Sequence, residues 1–313
     1  MKIKILPYCS KFGPCFLNID DINKKYFTME SYKQIFEYFL PNNDLEYKLT
    51  NSDDTSDICI TSINLPDKNL LKDDEINIMI CIENIKNPLL KFYEHYNVYG
   101  EYGNDKIRIY IYSHIDKLVK NHKYLAIPAI YCRINYFKLK YQFYYNSDVL
   151  NCPFEKKKFC LAINQSGLNK DIENIKKILS TIDMIDNISL YSDKINFQSC
   201  YNSIELLKIM NKYKFIICFE NSYLDGYITE KIFNCFFAKS IPIYSGSKII
   251  TRFFNNNSFI NLDENNFQNY IPIINEINSN KTLYEKYISL DKINYSYDDE
   301  NYQEEFFKYL KKE

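Results

Sequence analysis

The stretch Lys214–Gly246, KFIICFENSYLDGYITEKIFNCFFAKSIPIYSG, decides the fold. It opens on an almost unbroken apolar run (KFIICFEN, 214–221), the pattern of a strand covered on both faces. A polar loop follows. Residues 228–239 (ITEKIFNCFFAK) then carry apolar side chains at helical spacing, and 240–246 (SIPIYSG) read as another strand. Strand, helix, strand in that order is a crossover unit, which lays the two strands parallel under a covering helix. Working outward, KFCLAI (158–163) and ISLYSD (188–193) read as strands. KDIENIKKILSTI (170–182) and SIELLKIMNKY (203–213) read as helices. FINL (259–262) and helical patterns near 265–277 and 282–290 complete the second half. That alternation predicts an α/β domain built on a parallel sheet.

The first half has a similar rhythm. KIKIL (2–6), LEYKLT (45–50), DICITSI (57–63) and NIMICIE (77–83) read as strands, with a helix over 29–40 that stops before Pro41. Further strands are expected at 97–102, 107–113 and 124–131. The aromatic, polar stretch 133–156 breaks the pattern and predicts an interdomain linker. The expected domains are therefore 1–152 and 153–298, with 299–313 as a tail helix. Two α/β domains of this size commonly hold a ligand in the cleft between them, beyond the carboxyl ends of the strands.

Composition narrows the chemistry. The 313 residues carry 39 Lys+Arg against 40 Asp+Glu, a net charge of -1, so the basic excess of a nucleic-acid binder is missing. Six glycines are too few for several Gly-rich phosphate loops. Tyr, Phe, Asn, Lys and Ile are abundant and Trp is absent, a bias that follows A+T-rich codons and lowers the weight of any single Lys, Asn or Tyr. Ten cysteines form no CxxC pair, and no Cys/His group has zinc spacing. They read as buried free thiols in a reducing cytoplasm. No secretory signal and no membrane-spanning apolar run is read in the sequence. His95, His114 and His122 match no catalytic spacing, and the pairs Asp53-Asp54 and Asp73-Asp74 read as solvated turns.

The chemistry is expected in the polar loop after 214–221 and in the first turn of the next helix, where Glu230 and Lys231 stand. Free backbone N–H groups at a helix start favour a phosphate. A lysine in that turn runs against the helix dipole unless an anion accompanies it. The segment FENSYLDGYITEK, followed by IPIYSG, resembles the signature of the α-1,3/4-fucosyltransferases, glycosyltransferase family 10, and its ending is similar to the bacterial branch. The elements F-E-N-[ST], a Tyr, [IV]-T-E-K and [IV]-P-[IV]-x-x-G occur in register. One departure is Gly226, where many members carry Asp.

The resemblance implies a GT-B fold, two Rossmann-like domains facing a central cleft, and inverting transfer of L-fucose from GDP-fucose to an N-acetylglucosamine-containing glycan. The α-1,3 linkage is favoured, and no metal or other cofactor is required. It assigns Asn221, Tyr227, Thr229 and Glu230 to the donor site and Lys231 to the diphosphate. Lys170 stands near the place of a family Arg, although a lysine lacks the bidentate phosphate contact. Glu83, at the end of the predicted strand 77–83, is the expected base that deprotonates the acceptor. Two other readings stay open: a GT-B transferase using another sugar nucleotide, and an inactive carbohydrate-binding relative.

Overall fold

The computed structural model describes residues 2–5, 48–50, 57–62, 74–81, 107–112, 125–164, 170–189, 204–262 and 266–294. The chain divides into two compact units, Met1–Tyr136 with Asp298–Glu313, and Phe137–Tyr297. The first holds six strands: β1 (Lys2–Ile5), β2 (Lys48–Thr50), β3 (Ile58–Ser62), β4 (Ile76–Cys81), β5 (Ile107–Tyr112) and β6 (Leu125–Pro128). They lie in the order β2-β1-β3-β4-β5-β6, and every pairing is parallel. Ile58, Cys59 and Ile78 are buried in it. The expected helix 29–40, strand 97–102 and tail helix 299–313 lie outside the described residues, as do Glu83 and its neighbour Asn84.

Helix α1 (Ala129–Tyr145) corrects one expectation. The strand expected over 124–131 stops at Pro128, and residues 133–145 of the stretch expected as linker are helical. Ile130, Ile134 and Phe137 form a buried stripe at spacings of four and three. Aromatic residues interleaved with Arg133, Asn135, Lys138, Lys140 and Gln142 hid that stripe, because apolar and polar side chains alternate around the helix without one clear period.

The second unit contains β7 (Lys158–Asn164), α2 (Lys170–Leu179), β8 (Ile185–Ser189), α3 (Ile204–Met210) and β9 (Tyr213–Phe219). After these come α4 (Glu230–Phe237), β10 (Ile241–Ser245), the short α5 (Ile250–Phe253), β11 (Ile260–Asn261), α6 (Ile271–Ser279) and α7 (Lys281–Ser289). β8 starts three residues before the expected 188, because Ile185 pairs with Cys160 and brings its polar neighbours into an edge strand. The sheet order is β11-β10-β9-β7-β8, all parallel. One face packs Cys160, Phe215, Ile217 and Ile243 against Ile175 of α2 and Ile274 of α6. On α4, Phe233 and Phe237 meet Phe137 at ring-centroid distances of 5.3 and 5.1 Å. Burial on both faces explains why β9 and β10 read as continuous apolar runs.

Strand order reverses between β7 and β9. In a sheet of this topology the crevice beyond the carboxyl ends of those two strands is where ligands bind. The polar loop between β9 and α4 begins there.

Candidate functional site

Glu220 leaves β9 with its backbone still in the ladder: its N–H donates to the Ser245 carbonyl at 2.8 Å. Its side chain is buried and turns toward the start of α4. The carboxylate accepts from the Thr229 backbone N–H at 2.8 Å and from the Thr229 hydroxyl at 2.7 Å. Lys231 brings its ammonium to 3.8 Å of the same carboxylate. Burial pushes the Glu220 carboxyl above its ordinary value, against the opposing pull of Lys231 and the two Thr229 hydrogen bonds. Thr229 is also the N-cap of α4, and its hydroxyl accepts from the Lys231 N–H at 3.5 Å.

Lys231 is the residue whose placement looked anomalous in the sequence. Its ammonium donates to the Phe219 carbonyl and to Asn221 Oδ1, each at 2.8 Å. Glu220 supplies the negative charge that the position near a helix N-terminus demands, so an external anion is not needed to explain the lysine. The Asn221 bond lies on the exposed side of the loop. Both Asn221 Oδ1 and the Phe219 carbonyl are neutral acceptors, which a more negative oxygen can replace.

The loop between them is shaped by two glycines. The Tyr227 N–H donates to the Leu224 carbonyl at 3.0 Å, closing a turn in which Gly226 has φ 80. A positive φ at the third turn position is type II geometry and favours glycine there. The Gly226 N–H donates to the Ser247 hydroxyl at 2.9 Å. A Cβ at Gly246 would stand 2.6 Å from Glu220 Cγ and 2.6 Å from the Tyr244 hydroxyl oxygen, so the strand end meets the loop without room for a side chain. The Tyr244 hydroxyl accepts from the Ser247 N–H at 3.1 Å.

Asn221, Thr229 and Lys231 thus converge at the carboxyl end of β9. Glu230 stands half-buried in the first turn of α4, while Tyr227 is packed away at 3% exposure. Lys170 opens α2, on the other side of the strand-order reversal, and its side chain is not among those described. Sequence reasoning missed the parts played by Glu220 and Ser247. The glutamate was quoted within the F-E-N-S motif, yet a carboxylate after an apolar strand gives no sign that it turns inward. Among the described residues no cluster of His, Cys, Asp or Glu could hold a metal ion, and no helix is long and apolar enough to cross a membrane. The described cysteines are free thiols, and Cys59, Cys160, Cys218 and Cys235 are buried.

Such a cluster can accept an anion: an ammonium with exchangeable partners, an exposed amide and the first turn of a helix, all where a parallel sheet presents its ligand crevice. The model of glycosyltransferase family 10 (fucosyltransferase), C-terminal part, matches residues 152–309, which include this whole loop. The α-(1,3)-fucosyltransferase FucT of Helicobacter pylori is 28% identical over 215 residues, 59% of this chain and 44% of that protein. The putative fucosyltransferase R654 of Acanthamoeba polyphaga mimivirus is 26% identical over 291 residues, 92% of this chain and again 44% of that protein. The chain therefore spans less than half the length of these curated relatives. Among solved structures, an α1,3-fucosyltransferase superposes with TM-score 0.62 at 19% identity, covering 100% of this chain and 89% of the other. Another α1,3-fucosyltransferase structure, with GDP-fucose, gives 0.58 at 20%, covering 99% and 89%. At that identity the likeness is one of fold, and the fold is GT-B.

Proposed function

Because this chain belongs to glycosyltransferase family 10, the fucosyltransferases, we propose that it transfers L-fucose from GDP-fucose, with inversion, to a hydroxyl of an N-acetylglucosamine-containing glycan. The α-1,3 linkage is the favoured product. The observation that carries this reading is the Lys231 ammonium at the carboxyl end of β9, held by Asn221 Oδ1 and the Phe219 carbonyl. Phosphate oxygens of the donor take over from those two neutral acceptors. Glu230 and Asn221 contact the sugar or ribose, and Lys170 adds positive charge from the start of α2.

In the transfer, Glu83 removes the proton from the acceptor hydroxyl. The oxygen attacks fucose C1 from the face opposite the diphosphate. The C1–O bond to phosphate breaks, and GDP leaves with the electron pair. Lys231 and the amides at the start of α4 meet the charge that develops on the leaving group. The reaction requires no metal in this scheme and runs in the cytoplasm.

Incubation with GDP-fucose and a lactosamine acceptor, followed by mass spectrometry, is expected to show one added fucose. GDP-fucose is expected to raise the melting temperature where UDP-sugars do not. Stabilisation by a UDP-sugar alone would move the chain to another donor class. Binding without product would make it an inactive relative. Glu83→Gln is expected to lower turnover by about 10²–10⁴-fold while GDP affinity stays close to that of the unaltered protein. Wild-type turnover in that variant would remove Glu83 from the mechanism.

A further inference from the structure

We infer that Tyr223 and Asp171 form a clasp that fixes the two strand-end segments of the second unit in register for a nucleoside diphosphate. The Tyr223 hydroxyl donates to Asp171 Oδ2 at 2.9 Å, in a partly buried position. Tyr223 belongs to the loop between β9 and α4, two residues after Asn221. Asp171 sits in the first turn of α2, next to Lys170. The hydrogen bond therefore spans the point where strand order reverses, from the β9 side to the β7 side.

The chemistry of the pair suits that task. A phenol donating to a carboxylate makes a stronger bond than two neutral groups do. Asp171 also offsets the positive end of α2, which helps to hold the carboxylate in place. Tyrosine offers reach with few rotatable bonds, so closing the clasp orders little extra side chain. The consequence is spatial. A diphosphate held by Lys231 on one side and by the start of α2 on the other needs those two segments at a fixed separation. The sheet sets that separation below, and the clasp sets it above. Tyr223 and Asp171 are positioning residues and need not touch the ligand. This inference rests on the proposed function, because it assumes that the crevice holds GDP.

The test is a double-mutant cycle read by GDP calorimetry and by GDP-fucose kinetics on the full chain. Tyr223→Phe and Asp171→Ala are each expected to raise the Kd for GDP and the KM for GDP-fucose by roughly threefold to tenfold, less than the full worth of one charge-assisted hydrogen bond because the pair acts on the ligand only through position. The pair together is expected to be no worse than either alone. Turnover at saturation is expected to stay within about twofold, since the clasp acts on ground state and transition state alike. Asp171→Asn keeps an acceptor for the phenol and is expected to bind GDP better than Asp171→Ala. Wild-type Kd in Tyr223→Phe overturns the clasp. So do additive losses in the double variant, or GDP binding by Asp171→Asn as weak as that by Asp171→Ala. If Asp171→Ala fails to fold, Tyr223→Phe decides alone. Failure of the unaltered protein to bind GDP overturns the function and the clasp together, whereas binding that the variants leave unchanged overturns only the clasp.

Discussion

At the amino end of the second sheet, Lys157 sends its ammonium to the backbone carbonyls of Asn211 and Lys239. At the carboxyl end, Lys231 sends its own to one carbonyl and one exposed amide, beside a buried carboxylate. Around Lys157 the other polar groups are equally committed. Asn211 accepts from the Cys152 N–H at 2.9 Å and donates to the carbonyls of Leu150 and Ala238 at 3.3 and 2.8 Å. Ser240 donates toward the carbonyls of Met210 and Tyr213 at 2.9 and 2.8 Å. These bonds close onto the main chain and tie strand starts together. At the carboxyl end, two of the bonds run between side chains, Thr229 to Glu220 and Lys231 to Asn221, and the second has an exposed partner. The difference separates a knot that holds the sheet from a cluster that can exchange partners with a ligand.

The comparison can be broken by three substitutions. Glu220→Ala is expected to have the largest effect. It strands the Thr229 donors and should cost about 3 kcal/mol, seen in urea denaturation. It should also abolish detectable GDP binding by calorimetry. Asn211→Ala is expected to cost about 2–3 kcal/mol in the same denaturation experiment, because several buried partners lose their bonds. Its folded fraction should bind GDP as the unaltered protein does. Equal loss of GDP affinity in both variants would dissolve the distinction between the two ends.

The smallest effect is a pH dependence. Burial lowers the Lys157 ammonium to about 8 from its ordinary 10.5, with Lys239 adding to the shift and Cys152 opposing it. Below about 8 the folded protein carries the buried charge at a cost. Between about 8 and 10.5 the unfolded chain binds this proton and the folded one releases it, so stability from this group rises with pH. The stability difference between the unaltered protein and Lys157→Met is expected to shift in favour of the unaltered protein by about 1 kcal/mol or more from about pH 7 to about pH 10. A difference that stays flat with pH would mean that Lys157 is not desolvated.

The second sheet was legible because its strands are covered on both faces and their apolar runs admit few other readings. The loop after β9 was legible as a place for chemistry, since polar residues crowd a strand end there. What escaped was direction. Nothing in Phe219-Glu220-Asn221 tells which of two adjacent polar side chains goes inward, and the choice depends on Thr229 and Lys231 across the loop. Helix α1 escaped for another reason: its aromatic residues are interleaved with charged and amide ones, so no single apolar face stands out. Tyr223 and Asp171 are 52 positions apart, and their meeting follows from strand order, which no local pattern encodes.

Gly246 carries a consequence for anyone who would redesign this protein. A β-carbon added there would press on a glutamate stem and a phenol oxygen, so even alanine wedges strand and loop apart. Libraries aimed at new donors should leave codon 246 untouched and randomise Ser222, Leu224 and Asp225, whose side chains retain access to water. The route to altered selectivity then runs along the rim of the loop, and the crowded strand end beneath it is left as it is.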